Sequence, residues 1–193
     1  MFIEHKPKMK FLQVLFASAF LAKTALSYCE NVFILNKFNL TVTRCMEVGQ
    51  RDTPASDGFL LRLQDCDKHE NKQKFTIVII GEDRFMIIYE KGSKDNIFYL
   101  KEEGGELTVP GRLRAYESCK NCIEDFTFID EHICPDGYDD DYCLTAQGNK
   151  QLAGKNIIVF PNGASGGERF NWTFTNDPED LEESLDIFDE CME

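Results

Sequence analysis

The sequence predicts an all-β protein built from three copies of one unit, and two observations carry that expectation. From Tyr28 to Phe174 short apolar runs alternate with polar turns, and no stretch holds a helical apolar period over three turns. One pattern also recurs. Leu61–Val78 opens Leu-Arg-Leu, crosses an Asp/Asn/Lys turn and closes on Gln73-Lys74-Phe75-Thr76-Ile77. Leu113–Ile129 repeats it, from Leu-Arg-Ala-Tyr to Glu124-Asp125-Phe126-Thr127-Phe128. A fainter copy runs from Ile157-Ile158-Val159-Phe160 through a Pro/Asn/Gly turn to Phe170-Asn171-Trp172-Thr173-Phe174. Phe75, Phe126 and Trp172 lie 51 and then 46 residues apart, the period of an architecture in which no copy buries its apolar face alone.

Residues 1–27 read as a targeting segment. Lys6, Lys8 and Lys10 precede the apolar run Phe11–Ala22, and Ala25-Leu26-Ser27 offers small residues at a signal peptidase site. The run is too short to span a bilayer, so an uncut anchor is the weaker reading, and Met9 is an alternative initiator. The whole chain carries −13, and because residues 1–27 hold four lysines and one glutamate, the chain from Tyr28 stands near −16. Such a balance argues against nucleic acid and anionic membrane as partners and leaves basic partners open. The simpler reading of the charge is solubility.

All eight cysteines (Cys29, Cys45, Cys66, Cys119, Cys122, Cys134, Cys143, Cys191) follow the expected cleavage point. An even number behind a signal segment reads as a disulfide framework of an oxidising compartment. Two glycosylation triplets agree, at Asn39-Leu40-Thr41 and Asn171-Trp172-Thr173, the latter requiring an outward Asn171 beside a core tryptophan. The expectation is a secreted, extracellular monomer.

Strand-length runs rich in β-branched and aromatic residues fall at Val32–Leu35, Leu40–Val42, Phe59–Leu63, Phe75–Ile80, Phe85–Tyr89, Ile97–Leu100, Leu107–Val109 and Ile157–Phe160. Gly81-Glu82-Asp83 and Lys91–Asn96 read as hairpin turns. The tail differs. Asp177-Pro178-Glu179-Asp180 has a capping acid and a first-turn proline, and Leu181, Leu185, Phe188 and Met192 follow at helical spacing. Residues 177–193 hold nine acids and no Lys or Arg, which reads as a short acidic helix or a solvated tail, with a lure for a basic partner as the sharper alternative.

These motifs resemble the β-trefoil of ricin B chain type lectins, whose units end in Gln-x-Trp, over residues 38–174. Arg44-Cys45-Met46-Glu47-Val48 is similar to the family's opening Cys-Leu-Asp-Val, Leu61-Arg62-Leu63-Gln64-Asp65-Cys66 to its apolar strand ending in cysteine, and Gln73-Lys74-Phe75 to Gln-x-Trp. In the third unit Tyr142-Cys143-Leu144-Thr145-Ala146 resembles the opening again, with Asn171-Trp172 at the closing position. The resemblance implies one β-trefoil domain over residues 28–176 and a Cys45–Cys66 bridge. The three closing aromatics are then expected near a common axis, as core. Chain ends lie close in such a fold, which allows Cys29 to pair with Cys191, and Cys134 with Cys143 can close the loop between them. Cys119, Cys122, Cys134 and Cys143 otherwise allow three connectivities.

A lectin unit of this family is expected to use an acid in the opening motif, an aromatic platform on the next strand and a nearby polar residue. Carried over, unit one has Glu47 as the acid but Gln64 at the platform. Unit two has Tyr116 as platform, with the apolar Phe85-Met86-Ile87-Ile88 where an opening is sought. Unit three has Phe160 as platform, Thr145 at the acid position and Asn162 as the polar partner. No unit carries the full set, and Tyr116 and Phe160 also read as ordinary core or surface aromatics.

Metal and catalysis find little footing. Cys119-Lys120-Asn121-Cys122 lacks a βαβ setting and a second such pair, so neither redox chemistry nor zinc is expected. Asp136-Gly137-Tyr138-Asp139-Asp140-Asp141 departs from the EF-hand pattern and reads as a solvated turn. His69 and His132 sit in no nucleophile motif. The expectation is a non-enzymatic, cofactor-free binding protein, lectin-like toward a glycan or glycoprotein. The alternative is a β-trefoil ligand or inhibitor, like cytokines or protease inhibitors, that contacts an extracellular protein.

Overall fold

A computed structural model describes residues 27–37, 43–51, 58–92, 97–102, 111–117, 125–136, 142–148, 152–161, 171–180 and 191. Residues 1–26 of the expected targeting segment 1–27, the runs at 40–42 and 107–109, Asn39, Cys119, Cys122 and Asn162 lie outside them. The described residues form strands in three successive sets of four. Set one is β1 (Ser27–Lys37), β2 (Thr43–Val48), β3 (Gly58–Gln64) and β4 (Phe75–Ile79). Set two is β5 (Arg84–Glu90), β6 (Ile97–Glu102), β7 (Gly111–Glu117) and β8 (Phe126–Ile129). Set three is β9 (His132–Pro135), β10 (Tyr142–Ala146), β11 (Ile157–Pro161) and β12 (Trp172–Thr175). A 3-10 turn at Asn71–Gln73 is the helical element among the described residues, none of whose helices is long and apolar enough to cross a membrane.

The first and fourth strands of each set build a barrel. β1 pairs with β4, β4 with β5, β5 with β8, β8 with β9, and β12 returns to β1. At the start of β12 the Trp172 N–H donates to the carbonyl of Glu131, in the turn just before β9, at 2.7 Å. The second and third strands make the hairpins β2–β3, β6–β7 and β10–β11. Their third strands meet as a triangle: β3 pairs with β7, β7 with β11, and Asn156, just before β11, bridges Arg62 of β3. A six-stranded barrel capped by three hairpins is a β-trefoil, and its closure leaves few free sheet edges.

The three repeat aromatics explain why no unit stands alone. Phe75, Phe126 and Trp172 each begin the fourth strand of their set, are at most 1% exposed, and belong to one continuous core. Phe85 links the copies, its ring 6.1 Å from Phe126 and 5.8 Å, edge-on, from Phe174. The Trp172 indole N–H is satisfied inside by the Leu144 carbonyl at 2.8 Å. Along β5 the period-two rule holds, with Phe85, Ile87 and Tyr89 turned inward. Each fully buried large side chain contributes roughly 1.5–3 kcal/mol.

Positive φ angles outside glycine occur at two places among the described residues. Asp130 and Glu131, at φ 50° and 63°, form the two-residue turn between β8 and β9, and a pair of positive φ angles suits the twist of a hairpin. Asn31, at φ 61°, sits where β1 shifts register, with Cys29 opposite Ile77 but Val32 opposite Phe75.

Disulfides join Cys45 to Cys66, Cys134 to Cys143, and Cys29 to Cys191. The first of the acidic tail is a turn: the Asp177 carboxylate accepts from the Glu179 N–H at 3.0 Å, and Asp180 N–H donates to the Asp177 carbonyl at 3.1 Å. Residues 181–190, the body of the expected helix, lie outside the described residues. Glu179 pairs with Lys68, whose ammonium is held above its ordinary pKa by that hydrogen bond and charge and by Asp177. Cys191 is 5% exposed and packs into the main core.

Candidate functional site

Strand register sets out the equivalent positions of the three units. Met46 faces Leu63, Leu100 faces Ala115 and Leu144 faces Val159, all buried pairs of the same type. One residue further along the third strand stand Gln64, Tyr116 and Phe160, the positions assigned as platforms. One residue further along the second strand stand Glu47, Lys101 and Thr145. The opening strand of unit two is therefore Tyr99-Leu100-Lys101-Glu102. Phe85–Ile88, the segment that the sequence reading compared with the opening, is instead the first barrel strand of its set. The candidate residues do not converge on one cleft. They occupy equivalent places in three hairpins.

In unit one the motif residues hold each other. Glu47 is 7% exposed, and its Oε1 accepts from Arg62 Nη2 at 2.7 Å and Nε at 3.2 Å. Its Oε2 accepts from Gln73 Nε2 at 3.0 Å. Gln73, 1% exposed, also donates to the Asp65 carbonyl at 2.9 Å and accepts from the Asp67 N–H at 2.9 Å. The motif glutamine thus clamps the turn after β3 onto the acid of β2, satisfying a buried amide at both ends. Nearby, burial pushes the Tyr89 phenol above its usual pKa, with the Glu70 and Glu47 charges adding to it.

In unit two Tyr116 is half-buried and lies against Gly58, its partner in the β3–β7 register. A Cβ at residue 58 would come within 3.1 and 3.2 Å of Tyr116 Cδ1 and Cε1 and 3.0 Å of the Ala115 carbonyl. Any side chain there must displace the ring, so Gly58 positions Tyr116. Sequence reasoning missed this glycine, because Ser-Asp-Gly before an apolar run reads only as a turn. In unit three Phe160 is half-buried and packs on the Cys134–Cys143 bridge, and Thr145 is fully buried.

Asn171, the described glycosylation candidate, is half-buried and its Nδ2 donates to Glu131 Oε2 at 3.1 Å in an exposed hydrogen bond. Its carbonyl accepts from Asn36 Nδ2 at 3.0 Å and from Lys37 N–H at 2.8 Å, tying that end of β12 to β1. No group of three or more His, Cys, Asp or Glu among the described residues is gathered as a metal site requires. Asp136 instead pairs with Arg84 at 3.2 Å, and Arg84 also lies 3.5 Å from Asp125. Burial pushes the Asp125 carboxyl up, Arg84 opposes that, and the Asp136 charge adds to it.

Comparison with solved structures agrees with this architecture. The chain is similar to the designed three-fold symmetric protein ThreeFoil, at TM-score 0.57 and 13% identity over 77% of this chain and 97% of that one. It is similar to the Rhizoctonia solani agglutinin, at TM-score 0.56 and 11% identity over 77% and 96%. It is also similar to the β-trefoil lectin of the Vibrio vulnificus hemolysin/cytolysin, solved with N-acetyl-D-lactosamine bound, at TM-score 0.50 and 16% identity over 79% and 96%. At such identities the likeness shows the fold. No protein-family model matches the chain, and no curated protein matches it.

Proposed function

We propose that this protein is a secreted, non-enzymatic β-trefoil lectin of the ricin B chain type, with Tyr116 as the platform for a glycan. The observation that supports the reading is the register equivalence of Gln64, Tyr116 and Phe160, by which a half-buried ring backed by a glycine holds that position in unit two. A ring seated against backbone offers a rigid apolar surface, and the C–H face of a sugar is the complementary partner. Two of the similar structures are an agglutinin and a lectin, which supports the ligand class. Disulfide bridges within one chain support an oxidising, extracellular setting.

A glycan array followed by titration tests this. Wild type should bind a defined glycan, and Tyr116→Ala should weaken it about tenfold, a loss of about 1.4 kcal/mol. Gly58→Ala should weaken it as well, by moving the ring without removing it. Absence of binding to every glycan, or binding indifferent to Tyr116→Ala, ends the reading.

A second reading has its own observation. Glu47 is engaged by Arg62 and Gln73, so unit one holds an acid without a ring while unit two holds a ring without an acid. A trefoil with incomplete sugar positions suits a ligand or inhibitor that contacts an extracellular protein. Capture from extracellular fluid distinguishes the two, since that reading fails if no protein partner is retained.

A further inference from the structure

A groove of about 260 Å³ lies apart from the platform positions, between the register shift of β1, the 3-10 turn before β4 and the end of β5. Its polar lining is Glu30, Asn31, Asn71, Lys74, Thr76 and Glu90, drawn from three segments remote in the chain. Its apolar wall is Phe75, which at 1% exposure offers no ring face for stacking.

The backbone explains why the groove exists. Between the pairs Cys29–Ile77 and Val32–Phe75, two residues of β1, Glu30 and Asn31, stand opposite the single Thr76 of β4. Such a bulge bends the strand and re-aims side chains, and it recurs beside ligand sites. Asn31 accepts a left-handed conformation, φ 61°, that would suit glycine better. The strain is held in place: Cys29, next to the bulge, is bridged to Cys191, and Val32 on the other side is fully buried. The rim is thus organised before any ligand arrives, which lowers the cost of binding.

The chemistry of the lining selects the ligand class. Glu30 and Glu90 are acceptors, Lys74 is a donor, and Asn31, Asn71 and Thr76 are both. Thr76 Oγ1 lies 3.5 Å from Glu90 Oε1, so the two side chains share one wall. The Lys74 ammonium stands 6.0 Å from the Phe33 ring centroid, at the reach of a cation–π contact. Two carboxylates make an anion unwelcome. A lysine in the same lining disfavours a divalent cation, which needs a lining of oxygen alone. A neutral ligand bearing adjacent hydroxyls fits, because it donates to the carboxylates and accepts from the ammonium and amides. The volume falls below the range of about 300–1,000 Å³ for drug-sized ligands and suits a single sugar ring.

We infer that this groove is a second ligand site, which takes one neutral polyhydroxylated ring through hydrogen bonds and works independently of Tyr116. The test follows backbone amide resonances of the full chain while free glucose, galactose, mannose or N-acetylglucosamine is added. One of these sugars should give saturable shifts at Asn31, Asn71 and Gly92, with a Kd near the millimolar range, about −4 kcal/mol. The shifts should persist in Tyr116→Ala. They should weaken at least fivefold in Asn31→Gly, which keeps the left-handed backbone and removes the amide, and in Glu90→Ala. The inference is overturned if no sugar shifts these amides saturably, if only calcium chloride or sodium phosphate does, or if Asn31→Gly leaves the shifts intact. Loss of the shifts in Tyr116→Ala also overturns it. Tyr116 binding is read on the array, so either site can fail while the other stands.

Discussion

Units one and two hold equivalent thirds of the barrel, yet their equivalent hairpin positions differ in kind. In unit one the second and third strands present Glu47 and Gln64, and the acid is buried in a network with Arg62 and Gln73. In unit two the same places hold Lys101 and Tyr116, and the ring rests on Gly58. Motif likeness and surface availability therefore separate. The unit most similar to the lectin pattern has turned its polar motif residues inward to secure a turn. The unit with the poorest motif keeps a partly exposed ring. Burial decides between the roles, since a carboxylate with both oxygens engaged has little left to offer a ligand.

The largest test of this comparison concerns what the units share. If their closing aromatics form one interior, Phe75→Ala and Phe126→Ala should each cost about 3–5 kcal/mol in denaturant unfolding. A near-neutral result for either one would break the equivalence. A smaller effect is expected at Glu47. Glu47→Ala strands the Arg62 and Gln73 donors, and because Arg62 keeps 32% side-chain exposure the loss should be about 2 kcal/mol, below the 3–5 of a fully buried pair. Glycan binding should survive that substitution. If stability is retained and binding vanishes, the acid serves a ligand and the contrast between the units is reversed.

The smallest expected effect is a pH dependence at Asp125, in unit two. Its carboxyl is pushed up in the folded state by burial, with Asp136 adding and Arg84 opposing. The folded chain then holds this proton more tightly than the unfolded chain. The associated stability is fully present below the unfolded pKa and is lost as pH rises through the folded one. Relative to Asp125→Asn, wild type should gain stability on acidification through the carboxylate range. A difference curve that is flat or of opposite slope would show that Arg84 dominates.

The repeat and its aromatics could be read before folding because their signal is local and periodic. Phe75, Phe126 and Trp172 each sit in a short strand beside a threonine, and any alignment of the echoes brings them together. Register in unit two was harder. The loops between strands differ in length, so the apolar run Phe85–Ile88 could pass for the opening strand, although Tyr99–Glu102 occupies that place. The clamp of Gln73 on Glu47 joins residues 26 apart through side-chain geometry that no spacing encodes. The groove is more distant still from sequence, since Glu30, Asn71 and Glu90 meet only because β1 carries one residue more than β4. A bulge leaves no compositional mark when an asparagine, and not a glycine, takes the left-handed position.

The bridge between Cys29 and Cys191 spans 162 residues and brings their Cα atoms to 5.2 Å. Topologically it closes residues 29–191 into one covalent loop whose two ends, Cys29 and Cys191, are joined. Force applied to those ends passes through a covalent bond and bypasses the hydrogen bonds of β1. A protease cutting once between the two cysteines leaves every fragment attached. A machine that threads chains from an end stalls at the loop until a reductant opens it, so reduction of this one bond decides whether the chain can be threaded.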